Sequence, residues 1–176
     1  MKSEKNGTFA GTLGRGIAAG LIGTACMTAL QEISLRMKRH AVVGMKYQEE
    51  TEQDDPWKRA PAPAQLLKVA VEKATGVEPD PVAIPLYTNV MHWGYGTGLG
   101  AAYAVAERRL RLKPALAGPA FGLGVWAQSY ATLVPLGLYK WPWHYSAKTI
   151  AKDLSYHLTY GAGVAAGYEL LARRRP

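Results

Sequence analysis

The sequence predicts an all-α fold, a bundle of four transmembrane helices arranged as two similar tandem hairpins with a short amphipathic helix in the first long connection. Three observations predict it. Pro114 to Tyr139 is a run of twenty-six residues without one charge, long enough at about 1.5 Å per residue to cross a hydrocarbon core of about 30 Å. A glycine-rich apolar run lies near the N-terminus. A His-Tyr-Gly motif occurs twice at helical spacing.

The motif is the strongest internal signal. His92, Tyr95, Gly96, Gly98, Tyr103, Arg108 and Arg109 return without a gap as His157, Tyr160, Gly161, Gly163, Tyr168, Arg173 and Arg174. At about 100° per residue, His92, Tyr95, Gly96, Leu99 and Tyr103 share one helix face, as do His157, Tyr160, Gly161, Val164 and Tyr168. Each copy is thus one helix carrying one polar-aromatic stripe. A weaker alignment lays Gly14 to Gly20 over Gly118 to Gly124 and Thr28 over Thr132. Together the two matches suggest parallel repeats related by a pseudo-two-fold axis along the membrane normal, with both stripes at one depth.

Met1 to Thr12 is a polar lead with Lys2 and Lys5, and the first span is expected at 13–35. Its apolar core is about fifteen residues, short for a span, so a cleaved signal peptide is the competing reading. Gly16, Gly20, Thr24 and Thr28 form a small-residue ladder at spacing four that suits a retained, closely packed helix. A polar connection over 36–81 follows, with acidic residues from Glu49 to Asp55 and a Pro-rich passage from Pro56 to Pro63. Within it, 62–75 has an early Pro, apolar residues at helical spacing and a closing Gly76, the pattern of an amphipathic helix that lies on the membrane surface, caps the bundle or links through solvent.

The second span is expected at 82–106, the third at 114–139 and the fourth at 154–172. Trp141, Trp143 and Tyr145 follow the third at a boundary where amphipathic rings prefer to sit. Arg108, Arg109, Arg111 and Lys113 crowd one short loop, and Arg173, Arg174 and Arg175 crowd the last helix end. By the excess of basic residues on the cytoplasmic side, both ends of the chain belong inside. Arg36, Lys38 and Arg39 oppose that orientation. Arg108, Arg109 and Arg111, with Arg173, Arg174 and Arg175, are candidate contacts for anionic lipid headgroups.

An ionisable residue within a span is costly and invites a role. For His92 and His157, with Tyr95, Tyr103, Tyr160, Tyr168 and Asp153, three roles fit. The imidazoles could be axial ligands of a haem b held between two helices. The stripes could pass protons or ions. Or each His could lock helices by bonding a Tyr, Asn89, Gln128 or a backbone carbonyl. Gly94, Gly96 and Gly98 in one copy, and Gly161, Gly163 and Gly167 in the other, read as helix-packing surfaces.

The glycine-rich first span, the passage from Pro63 to Gly76, the His92-Trp93-Gly94-Tyr95-Gly96 helix, and Leu138 to Trp143 before a final helix with His157 and Tyr160 resemble a group of small bacterial integral membrane proteins. They are distantly similar to the YagU-like inner-membrane family. That resemblance implies a bacterial plasma-membrane location and four helices, and carries over no catalytic residue.

Cys26 is alone, so no intrachain disulfide forms. A phosphate loop, paired metal-binding cysteines, a His-Glu-x-x-His helix and a Gly-x-Ser-x-Gly elbow are all missing from the sequence, which weighs against a conventional enzyme. The net charge of +8 comes largely from residues flanking apolar runs, which weighs against nucleic-acid binding. The expectation is a non-enzymatic structural, assembly or stress-related inner-membrane component whose partners are the lipid bilayer and a homo-oligomer or membrane complex. A small transporter or proton channel is the alternative, and a haem-carrying electron-transfer subunit the third reading.

Overall fold

The computed structural model describes residues 8–41, 55–110 and 112–173. Arg111, Arg174, Arg175, the acidic residues from Glu49 to Asp54 and the lead before Thr8 lie outside them. Among the described residues the chain is all-helical: α1 (Phe9–Ala41), α2 (Pro56–Arg59), α3 (Ala62–Thr75), α4 (Ile84–Leu110), α5 (Pro114–Leu133) and α6 (Ala147–Arg173).

Local chemistry sets the ends. The Thr8 hydroxyl oxygen accepts from the Gly11 amide at 3.2 Å and caps α1. Asp55 caps α2 by accepting from the Trp57 amide at 2.9 Å, and Pro56 opens the helix. That single turn, inside the Pro-rich passage, was not expected from the sequence. Gly76 ends α3 in the left-handed conformation with φ 71°, which costs glycine no Cβ clash.

The third helix is shorter than the charge-free run. It stops at Leu133 rather than Tyr139, because Pro135 follows and Gly137 takes φ 72°. The Leu138 amide reaches back to the Leu133 carbonyl at 3.0 Å, and Gly137 to Val134 at 3.0 Å, which closes the end as a Schellman turn. The last helix starts at Ala147, so the polar residues from Lys148 to Asp153 form its first turns ahead of the expected span, and Ser146 Oγ accepts from the Thr149 amide at 3.1 Å.

Four long helices pack together. α1 lies between α4 and α6, and α5 packs on the other side of α6. Neighbouring helices in that row run antiparallel: Gly16 sits against Gly100 and Ala104, Gly20 against Gly96, Gly23 against Tyr160 and Val164, and Gly122 against His157 and Leu158. The ends bearing Phe9, Arg108, Lys113 and Arg173 therefore share one side of the bundle, and Trp141 and Trp143 share the other. The two tryptophan rings stack at 5.1 Å, with Trp143 72% exposed.

α3 docks on the start of α4. Trp57, 3% exposed, anchors it by packing with Ala60, Ala64, Ile84 and Tyr87 and donating its indole N–H to the Pro79 carbonyl at 3.0 Å. Lys68 lies over that indole and bridges Glu72 at 2.6 Å and Glu78 at 2.8 Å. Hydrogen bonds to Glu72, then Glu78, hold the ammonium above the ordinary lysine range.

One helix among the described residues, α1, is long and apolar enough over Phe9–Met37 to cross a membrane by length and composition, with 28% of its most apolar window buried inside the protein; a signal sequence near an N-terminus has the same length and composition. In α4, α5 and α6 the apolar average is diluted by glycine, tyrosine, histidine and glutamine, and by charges near the ends of α4 and α6.

Candidate functional site

The glycines that bring helices together overlap only in part with those singled out from the sequence: Gly23 and Gly100 pack closely and were not among them. A Cβ on Gly20 would lie 2.7 Å from the Gly96 carbonyl oxygen, and one on Gly16 would lie 2.7 Å from that of Gly100. Gly161 meets the backbone of Gly118 and Gly122, and a Cβ on Gly163 would lie 2.9 Å from Gly23 Cα. Gly167 fits against Ile22. Gly94 and Gly98, by contrast, face open space within this chain. Two residues along a helix is about 200° around it, so once Gly96 and Gly100 face α1, Gly94 and Gly98 must face away.

The register between the hairpins also differs from the weaker alignment. Gly118 meets Gly161 and Ala162 as Gly20 meets Gly96 and Thr97. Gly118 thus stands where Gly20 does, and Gly122 where Thr24 does. Gly14 and Gly124, which the sequence alignment used, both meet nothing. Glycine is too frequent in both segments for identity alone to fix the offset.

The two histidines are committed to different interfaces. Thr28 places its hydroxyl 2.8 Å from the Thr24 carbonyl and 2.9 Å from His92 Nε2, tying α1 to α4. His157 Nδ1 lies 2.9 Å from the Asp153 carbonyl one turn earlier. Since a carbonyl only accepts, Nδ1 carries the proton. Asp153 is the hub of that end. Its Oδ2 accepts from Trp126 Nε1 at 2.9 Å and from the Tyr130 hydroxyl at 3.0 Å, both on α5, and its Oδ1 lies 3.7 Å from His157 Nδ1. Asn89 bonds the Pro85 carbonyl at 2.8 Å, and Gln128 accepts from the Tyr95 hydroxyl. Neither serves a histidine.

The tyrosines carry the stripes across the bundle. Tyr160, 3% exposed, donates its hydroxyl to the Gly96 carbonyl at 2.6 Å, joining α6 to α4 through the second motif copy's Tyr and the first copy's Gly. Tyr103 and Tyr168, equivalent positions in the two copies, meet edge to face at 5.8 Å, and Phe121 of α5 meets Tyr103 at 5.0 Å. Tyr103 and Tyr168 therefore sit at one level of the bundle. The Arg15 guanidinium stands 5.9 Å above the Tyr168 ring. At the helix ends, Arg108, Arg109 and Arg173 are exposed, and Arg173 pairs with Glu169.

Thr28, Trp126, Tyr130 and Phe121 belong to this arrangement and were not singled out as site residues. Thr28 had one sequence signal, its place in the ladder of small residues. The other three lie within the charge-free run, where nothing in sequence spacing says which side chain meets Asp153 or Tyr103.

Two polar centres result, one around Asp153 and one around His92, linked across the bundle by Tyr160 and Gly96. Below them, toward the end carrying Arg108, the stripe becomes an aromatic cluster. Chemically this is a set of interhelical locks, together with one carboxylate held among an indole, a phenol and an imidazole. No family model, curated protein or solved structure matches the chain.

Proposed function

We propose that this chain is a membrane-embedded helical protein in which α1, α4, α5 and α6 cross a bacterial inner membrane as two tandem hairpins. It acts without catalysis, as a structural or assembly component whose His and Tyr stripes lock the helices. The observation that carries this reading is an exterior of large apolar side chains around an interior of small ones. Ile17 and Leu21 of α1, Leu86 and Val90 of α4, and Leu116 and Leu123 of α5 point outward. The interior holds glycine backbones, Ala19, Ala104 and Ala165, Val164, Thr24 at 1% exposure and hydrogen-bonded tyrosine. Water would penalise such an exterior, whereas lipid favours it and leaves close backbone packing and interhelical hydrogen bonds to hold the bundle.

The basic end, with Arg108, Arg109 and Lys113, then lies in the cytoplasm, and Lys140 with the paired tryptophans lies outside. The test replaces Cys26 by serine and introduces Lys113→Cys or Lys140→Cys. Membranes are washed with alkaline carbonate, and cells with a permeabilised outer membrane are treated with an impermeant maleimide. A carbonate-resistant chain labelled only at position 140 is expected. Release by carbonate, or equal labelling at both positions, overturns the reading.

Asp153, held by Trp126 and Tyr130 with His157 at 3.7 Å, favours a second reading: a proton or ion path. Replacing both His92 and His157 by phenylalanine separates the two. Loss of proton flux in liposomes with stability retained supports conduction, and loss of stability without any flux to lose supports the locks.

A further inference from the structure

The two hairpins pack asymmetrically. The contact between α1 and α6 is closed: Gly23 lies against Tyr160 and Val164, and Gly163 lies against Gly23 and Cys26. In the register defined by Gly20 and Gly118, the equivalent contact is between α5 and α4, with Phe121 standing for Gly23 and Gly98 for Gly163. That contact is open. Phe121 wedges against Tyr103 at 5.0 Å, Gly98 meets nothing, and α4 and α5 share no extended backbone contact of the kind α1 makes with α6. Below the wedge is a cleft of about 200 Å³ lined by Tyr103, Ala106 and Leu110 of α4 and by Ala117, Ala120 and Phe121 of α5.

We infer that this cleft is a binding site for one anionic phospholipid, whose acyl chain lies along the Tyr103–Phe121 wedge and whose phosphate meets the basic rim. The lining is apolar, and its mouth is at the connection between α4 and α5. Arg108, Arg109 and Lys113 are exposed there. Glu107 lines the cleft as its one acidic residue, against Arg108, Arg109 and Lys113 at the rim, which leaves an excess of positive charge. A second copy is the poorer occupant. In the same membrane orientation it brings its own arginine-dense end to the same depth, like charge against like. A lipid supplies both an apolar chain and an anion at the depth required.

The inference rests on the membrane-spanning reading, and the experiment separates the two. The full chain, purified in mild detergent, is titrated with phosphatidylglycerol or with phosphatidylcholine of identical acyl chains and followed by native mass spectrometry. One phosphatidylglycerol adduct is expected, held at least tenfold more tightly than phosphatidylcholine. Ala120→Trp should remove the adduct by filling the cleft, with circular dichroism checking the fold, and Ala106→Leu replaces it if it does not fold. Combined Arg108→Gln, Arg109→Gln and Lys113→Gln should bring the preference between the lipids close to one. Equal affinity for both lipids, or an adduct that survives in a folded filled-cleft variant, overturns the inference. So does a dimer that the filling dissociates, which would give the cleft to a second copy. A carbonate-resistant protein without the adduct sinks the cleft alone, whereas release by carbonate sinks both readings.

Discussion

Gly100→Ala and Gly98→Ala each add one methyl group, two residues apart on one helix, and should differ in stability, with Gly100→Ala the less stable. Gly100 packs directly on the Gly20 backbone, whereas a Cβ on Gly98 meets nothing within 4 Å. The reciprocal contact sets the scale. A Cβ on Gly20 would lie 2.7 Å from the Gly96 carbonyl oxygen and 2.9 Å from Thr97 Cα, where ordinary contact begins at 3.4 Å. Because the obstacle is backbone, no rotamer change relieves it, and α1 and α4 must separate by about 0.7 Å over their shared face. A gap of about 0.5–1 Å forfeits a quarter to a half of each dispersion contact there, and overpacking of this kind costs about 1–3 kcal/mol. Alanine's helix propensity returns about 1 kcal/mol at either site. Gly100→Ala should therefore destabilise by up to about 2 kcal/mol, and Gly98→Ala should be neutral or stabilising by up to about 1 kcal/mol. The propensity gain is common to both, so the two should differ by the overpacking cost of about 1–3 kcal/mol, roughly a 5- to 150-fold change in the unfolding equilibrium. Unfolding of the full chain in mixed micelles, titrated with a denaturing detergent and followed by circular dichroism, resolves it. Equal destabilisation by both variants would refute the assignment of α4's packing face.

Tyr160→Phe removes the hydroxyl bonded to Gly96 while keeping the ring, and should cost about 0.6–1.7 kcal/mol in the same titration; no loss would show that the bond contributes nothing net. Asp153→Ala leaves the Trp126 N–H and the Tyr130 hydroxyl without their acceptor, for about 1–3 kcal/mol, and should shift tryptophan emission, whereas Asp153→Asn retains an acceptor oxygen and should lose less. Since His92 turns to Thr28 and His157 to Asp153, the purified protein should show no Soret band, oxidised or dithionite-reduced. A band lost in both His92→Ala and His157→Ala would restore the haem reading. The Lys68 bridge, whose ammonium is held above its usual range by Glu72 and Glu78, should support α3 docking at neutral pH and up to the ordinary lysine range, and lose that support as pH rises through the folded-state value. Trp57 emission between neutral pH and strong alkali, compared with Lys68→Met, checks this, and identical profiles would refute it.

The positions of the helices were legible in the sequence because the signals for them are local. Absence of charge, glycine and proline punctuation, and residues recurring at helical spacing located α3, α4 and α6 and the start of α5, and the same spacing put His92 with Tyr95 and His157 with Tyr160 on shared faces. The end of α5 was also written locally, in Pro135 and Gly137, yet an unbroken apolar composition concealed it. Only the tertiary structure decided which glycines matter. Glycine occurs on every face of α4, and periodicity cannot say whether Gly96 and Gly100, or Gly94 and Gly98, turn to a neighbour until α1 is in place. Asp153, one turn before His157 on the same helix, is a local partner, whereas the pairing of His92 with Thr28 depends likewise on helix register. So does the asymmetry of the bundle. A glycine at position 23 lets α6 close on α1, while a phenylalanine at position 121 holds α5 off α4, because side-chain volume at a single crossing point sets how near two helices come.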